Sequence, residues 1–256
     1  MQRIGSNLEC LGTPLISTAS GSIPDVWRLE HRPIAGTEMM KFGAWTSVSK
    51  KRISAQTEPA DPMSGKGLIK STARGLAFVV IVPMLVSFHI RAAFLGPDRA
   101  LESSSQALSL VPGLIGQYLR NAFLRQVLDG CHSSAVIGFG TIFSCVKARV
   151  DRNAYVGPNC NLGWVHIEHD VLLAAGVHSP SGPLMHGIQR LDVPIRDQPG
   201  QPRCVRIGAG SWIGNHAIVM QNVGRDTIVG AGSVVTKELP DRVVAAGVPA
   251  RILRPR

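Results

Sequence analysis

Large aliphatic residues stand six apart in the stretch IGAGSWIGNHAIVM, at Ile207, Ile213 and Val219. A helix repeats its apolar face every three or four residues and a strand every two. Six suits a strand, but a plain strand would fill every second position. Here Ala209, Ser211, Asn215 and Ala217 are small or polar. The same aliphatic start recurs at Ile137, Val150, Val156, Leu162, Ile167 and Leu173, and after a gap at Ile207, Ile213, Val219, Val229 and Val235. Gly often follows it. Each hexapeptide reads as a short strand plus a turn, one side of a triangular prism, and three make a coil. The aliphatics stack along the narrow core, bulk elsewhere would not fit, and Gly permits the tight corners. The spacing slips to thirteen from Ile137 to Val150, to five from Leu162 to Ile167 and to ten from Val219 to Val229. These slips predict corners with an added or missing residue. An ordinary β-sandwich would alternate with less regular spacing.

A long interruption, SPSGPLMHGIQRLDVPIRDQPGQPRC, separates His178 from Val205 and holds five prolines. It predicts an excursion from the prism, and long loops inside compact repeats are usually functional or disordered.

Upstream, the composition changes twice. Residues 1–62 are an irregular tail with scattered Gly, Pro, Ser and Thr and no sustained apolar period. Met63 then opens MSGKGLIKSTARGLAFVV, a basic flank leading into an apolar run. Two readings stay open: a native start at Met63, or a genuine tail. Peptides between Gln2 and Pro62, recovered from protein made from its own promoter, would exclude the first. Residues 63–130 form an apolar, mostly helical segment. GLAFVVIVPMLVSFHI runs sixteen residues, 75–90, without a charge. That is short of the roughly 20 needed to span a bilayer, and Pro83 sits inside it. ALSLVPGLIGQYL, from Ala107 to Leu119, contains Pro112. Both predict a broken or kinked helix. The segment is expected to associate with a membrane, its basic flanks on the cytoplasmic side, although burial as a cap on the main domain is also open.

The net charge is +10 and aromatics are 5% of the chain. No Lys/Arg run has interleaved aromatics, which argues against nucleic acid. A solvated basic surface, or attraction to an anionic membrane or ligand, accounts for the charge. The five cysteines are odd in number and lack CxxC spacing, which predicts reduced, mostly buried thiols in a cytosolic compartment.

The repeats, the interruption and the ending IGAGSWIG…VGAGSVVTK…VAAGVPARIL resemble the hexapeptide-repeat acyltransferases with a left-handed β-helix. The similarity is greatest to sugar and exopolysaccharide O-acetyltransferases, alongside maltose/galactoside and xenobiotic acetyltransferases. It covers about residues 131–254. The resemblance implies an all-β core built as a left-handed parallel β-helix over 131–256. It also implies acetyl-CoA as co-substrate without a metal, and a homotrimer with a site in each groove between subunits.

Direct acetyl transfer needs a base beside the acceptor proton, a task suited to imidazole. The resemblance puts that role on His186, in PLMHGIQRLD, with His178 as second candidate because the family's loop often reaches its His a residue or two earlier. Asp192 would orient the imidazole or bind acceptor hydroxyls, or is a plain loop charge. Asn159, in VGPNCNL, matches an acceptor-binding Asn, or is a turn residue. Trp212, Asn215 and Ala231 match positions along the pantetheine arm, with Gly214 and Gly230 allowing close approach. Trp212 suits a subunit contact equally well. Thr236, Lys237, Arg251 and Arg254 match contacts to the 3′-phosphate, or form a basic tail.

Three other readings compete. A γ-type carbonic anhydrase also uses this prism and binds zinc through three His, and the chain offers His166, His169, His178, His186 and His216. The three-residue step in HIEH, however, puts His166 and His169 on opposite faces of a strand, and the zinc enzymes lack the ending seen here. A non-catalytic prism is the second, and N-acetylation of an amino sugar the third. The expectation is an acetyl-CoA-dependent O-acetyltransferase acting on a saccharide in exopolysaccharide or surface polysaccharide biosynthesis. The apolar segment favours a lipid-linked acceptor and a cytoplasmic enzyme at the inner face of the cell membrane.

Overall fold

The computed structural model describes residues 65–256; the tail over 1–62 and the question of Met63 lie outside them. Three helices come first: α1 (Gly65–Leu95), α2 (Pro97–Ser109) and α3 (Gly113–Val127). Pro83 does not end α1, contrary to the expected break, and the helix runs on to Leu95. Ile81, Met84 and Leu85 hold this stretch in the core on both sides of the proline. Pro112 does interrupt: it is the N-cap of α3, in extended conformation, as the missing N–H favours.

The remainder is a parallel β-helix with three narrow sheets. Sheet A holds β1 (Gly130–Cys131), β4 (Arg149–Val150), β7 (Val165–Ile167) and β10 (Val205–Ile207). Sheet B holds β2 (Val136–Ile137), β5 (Tyr155–Val156), β8 (Leu172–Leu173), β11 (Trp212–Ile213), β13 (Ile228–Val229), β15 (Val243–Ala246) and β16 (Arg251–Pro255). Sheet C holds β3 (Ile142–Phe143), β6 (Asn161–Leu162), β9 (His178–Ser179), β12 (Ile218–Val219) and β14 (Val234–Val235). The ladders are parallel, with one coil above another, except where β16 folds back antiparallel on β15.

All eleven repeat starts are buried, none more than 1% exposed. They form one column per sheet: Val150, Ile167 and Ile207 in A; Ile137, Val156, Leu173, Ile213 and Val229 in B; Leu162, Val219 and Val235 in C. The columns also take members that the aliphatic pattern passes over. Phe143 heads column C, fully buried. Val223 and Leu239 extend column A through isolated bridges. Ser179 fills a column-C place, its hydroxyl donating to the Val219 carbonyl at 3.1 Å.

With those members in place, the slips fall on one edge of the prism. From column A to B the step is always six residues, as in Val150 to Val156 or Val223 to Val229. From B to C it is also six, as in Ile137 to Phe143 or Val229 to Val235. Only the C–A edge varies: seven from Phe143 to Val150, five from Leu162 to Ile167, four from Val219 to Val223 and from Val235 to Leu239. The two constant edges are locked by backbone passing over backbone. A Cβ on Gly157 would lie 2.6 Å from the Ala174 carbonyl carbon, and one on Gly214 would lie 2.5 Å from the Ala231 nitrogen. Hydroxyls stitch the same edges, Thr141 to the Gly157 carbonyl (2.7 Å) and Ser211 to the Gly224 carbonyl (2.7 Å).

The first coil would expose open strand edges, and the helices cover it. Ser105 Oγ accepts from the Phe143 N–H at 2.9 Å, and Asp98 Oδ1 from the Val146 N–H at 2.9 Å. Asn121 donates to the Ala135 and His132 carbonyls. Arg120 is buried and donates to the carbonyls of Ile137, Leu108 and Val111. Burial lowers its pKa. The four cysteines among the described residues are free. Burial pushes the Cys131 thiol up to about 12.

Candidate active site

The longest departure from the prism leaves sheet C at β9 and re-enters sheet A at β10, so it belongs to the variable C–A edge. Its two legs are joined by backbone hydrogen bonds, Arg203 N–H to the Ser181 carbonyl (2.8 Å) and Gln201 N–H to the Leu184 carbonyl (2.7 Å). Gln198 is buried and ties down the far end. Its amide nitrogen donates to the carbonyls of Arg190 (2.6 Å) and Val193 (2.9 Å), and its oxygen accepts from the Arg190 N–H. His186 stands between these anchors, exposed. Its backbone is buttressed by Gly200, where a Cβ would come within 2.1 Å of the Met185 carbonyl oxygen and 2.9 Å of the His186 nitrogen. The imidazole is therefore presented on a pinned backbone, open to a ligand.

At the base of the excursion Glu168 joins the coil before it to the coil after it. Its Oε2 accepts from the Ala209 N–H at 2.8 Å, and its Oε1 from the Arg206 guanidinium. Burial pushes this carboxyl up, but the Ala209 N–H and Arg206 together outweigh it and hold the pKa below the ordinary value. A depressed carboxylate contributes stability above its unfolded pKa, about 4.3, and loses it as pH falls through the folded value. Glu168→Gln is expected to cost about 1–3 kcal/mol near neutrality. The difference from wild type should begin to shrink as pH falls past about 4.3 and vanish below the depressed folded value, measured by urea unfolding at several pH values.

Asp192 does not contact His186 within one chain. It forms a two-pronged pair with Arg190, 3.2 and 2.5 Å, and Arg190 holds its carboxyl below the usual range. His178 is an outward residue of sheet C, between Asn161 and Ile218. Asn159 forms a B–C corner in the left-handed region (φ 57°), where short polar side chains are tolerated. Asn215 and Ala231 occupy B–C corners of successive coils beside Gly214 and Gly230, and Asn215 Oδ1 accepts from the Ala175 N–H at 3.1 Å. Glycine at 214 is required by the coil itself, because a Cβ there would lie 2.5 Å from the Ala231 nitrogen. Trp212 lies on the outer face of sheet B, 41% exposed, between Leu172 and Ile228. Thr236 and Lys237 follow β14 on the C–A edge, exposed, and Arg251 and Arg254 lie exposed on β16. One chain therefore separates the candidates into two groups: His186, Thr236 and Lys237 on the C–A edge; Asn159, Asn215 and Ala231 on the B–C edge.

The excursion's anchor, Gln198, escaped sequence reading because an amide in a Pro-rich loop has no distinguishing period. His166 and His169 are each paired with a carboxylate, Asp151 at 3.1 Å and Asp170 at 2.9 Å. Among the described residues, no group of three His, Cys, Asp or Glu is arranged to hold a metal ion. A concavity of about 480 Å³, lined by His132, Asp151, Arg152 and His169, opens on another part of the prism, at sheet A.

A coiled prism with one long excursion bearing an open imidazole defines a class, the hexapeptide-repeat acyltransferases. Comparison with known proteins narrows it. No family model matches the chain. The galactoside O-acetyltransferase of Escherichia coli K12 is 31% identical over 168 residues, which are 56% of this chain and 80% of that protein. A maltose O-acetyltransferase of Clostridium difficile 630 superposes with a TM-score of 0.51 at 22% identity, over 62% of this chain and 87% of that one. A galactoside acetyltransferase in complex with coenzyme A gives a TM-score of 0.50 at 21% identity, over 63% of this chain and 84% of that one. The chain belongs to the hexapeptide-repeat acetyltransferase family of the galactoside O-acetyltransferase type, and is an acyltransferase with a β-helix fold.

Proposed function

We propose that this protein is an acetyl-CoA-dependent O-acetyltransferase of a saccharide used in exopolysaccharide or surface polysaccharide biosynthesis. The observation that carries the reading is the pinned excursion holding His186 open on a prism of the galactoside O-acetyltransferase type. His186 would take the proton of the acceptor hydroxyl as its oxygen attacks the thioester carbonyl, and coenzyme A would leave as the thiol. The coenzyme complex of a structural relative supports this co-substrate.

The division of candidates between two edges favours a homotrimer. Closing three prisms about a threefold axis sets the C–A edge of one copy beside the B–C edge of the next. His186, Thr236 and Lys237 of one copy would then face Asn159, Asn215 and Ala231 of its neighbour. The outer faces agree with that arrangement. Sheet A presents Arg149, His166 and Arg206, whereas sheet B presents Tyr155, Leu172, Trp212 and Ile228. The test is thiol release and acetyl transfer from acetyl-CoA with neutral sugars, amino sugars and oligosaccharides. Transfer to a hydroxyl is expected. Transfer only to amines would replace the O-acetyl reading by an N-acetyl one, and failure to bind acetyl-CoA would overturn both.

A further inference from the structure

Helix α1 is apolar on two opposite sides, and the fold accounts for one of them. Ala77, Ile81, Met84, Leu85, Phe88 and Ala92 recur at steps of three, four and one, which places them on one stripe. That stripe packs on α2 and α3, with Phe88 edge-on to Phe123 at 5.9 Å. The opposite stripe is Leu76, Val79, Val86, Ile90 and Phe94, between 54% and 84% exposed. A helix on the surface of a water-soluble domain carries polar residues there. The one charge of α1 after Arg74, Arg91 near its C-terminal end, is turned off this stripe and donates to the hydroxyls of Ser103 and Ser104 on α2.

We infer that this outer stripe of α1 seats in the interface of a lipid bilayer, with the helix lying in the membrane plane rather than crossing it. By length and composition alone, Lys70–Leu95 could cross. Packing decides against that. The apolar residues and the residues held by α2 and α3 are the same stretch of helix. Those two helices expose Arg99, Glu102 and Gln106, and Arg125 and Gln126. A crossing α1 would carry these charges to hydrocarbon depth, where each is strongly disfavoured. Lying flat, α1 buries one stripe in lipid and keeps α2, α3 and the prism on the aqueous side. Lipid is chosen by composition: no Asp, Glu, Lys or Arg stands between Arg74 and Arg91, and the mean hydropathy of the helix reaches 2.1. Nothing here depends on the acetyltransferase reading, so the two stand or fall separately.

The test is cosedimentation of the full-length protein with vesicles of phosphatidylcholine mixed with phosphatidylglycerol, and of phosphatidylcholine alone. Binding is expected to both kinds of vesicle. The double variant Val79→Glu/Val86→Glu should lose it while keeping its circular dichroism and soluble-substrate turnover. In inverted membrane vesicles, tags at both chain ends should be digested from the same side. Tags on opposite sides would overturn the in-plane assignment, and binding that requires phosphatidylglycerol would give it to surface charge and overturn the role of the stripe. Failure to sediment, with self-association abolished by Val79→Glu/Val86→Glu, would give the stripe to a second copy of the chain and overturn the proposal.

Discussion

His186→Ala is expected to lower acetyl transfer by about 100- to 10,000-fold, the range that a positioned general acid–base group contributes. Acetyl-CoA binding, measured by calorimetry, should be nearly unchanged. The residue is exposed and makes no hydrogen bond that the fold needs, so unfolding curves should overlay those of wild type. The loss should fall on kcat and on kcat/KM alike, because the imidazole acts on a proton that moves only in the transition state. Transfer that survives in His186→Ala would move the base to His178 or remove a side-chain base altogether. Gln198→Ala separates position from chemistry. It keeps the imidazole but frees the far end of the excursion, and should reduce kcat without abolishing it, by misplacing the base.

The prism itself was legible because its constraint is one-dimensional. A core of three stacked columns, one per sheet, admits one large side chain per short strand, and that rule is written along the chain as a period of six. It was legible where the side chain is aliphatic and the corner keeps its length, as at Ile213 and Val229. It was not legible on the C–A edge. There Val223 and Leu239 follow their predecessors by four residues, so a fixed period steps over them, whereas Phe143 keeps the six-residue step from Ile137 and falls outside an aliphatic pattern because its side chain is aromatic. Ser179 escaped because its fit depends on a hydroxyl bond to the neighbouring coil, which no pattern of hydrophobicity records.

The site was legible in kind and not in arrangement. A proline-rich break in a strict repeat announces an excursion, and one histidine near its middle marks the chemistry. Which carboxylate serves that histidine is a three-dimensional matter. Asp192 lies near His186 in sequence, yet within one chain Arg190, two residues before it, takes both its oxygens. The glycines show the same limit. Gly214 can be read as room for a ligand, yet the coil demands glycine there in any case, because a Cβ would meet the backbone of Ala231. The helical segment was legible as apolar, but the number of helix breaks was not. Proline inside a helix costs one hydrogen bond, and in the first turn it costs none; packing on both sides offsets the cost at Pro83, whereas Pro112 falls where a helix begins.

Phe143→Ala is expected to be the costliest single truncation in the core, at about 3–5 kcal/mol, the range for removing a fully buried aromatic side chain. The reason is its place as much as its size. Phe143 heads column C with no coil above it, and its N–H is bound by Ser105 of α2. The ring therefore serves two contacts, the stack on Leu162 below and the seat of the helical cap above. Truncation should leave a cavity that neither side can collapse into, since α2 is also fixed through Asp98 to Val146 and the coil through its ladder to β6. Phe143→Leu, which keeps part of the volume, should cost about 1 kcal/mol. Urea unfolding of both variants measures the difference. A loss for Phe143→Ala no larger than that for Phe143→Leu would mean that the cap, and not the ring, holds the first coil. Exposure of Asn121 and Arg120 contacts by hydrogen exchange would distinguish the two, because those groups protect the same coil end from the α3 side.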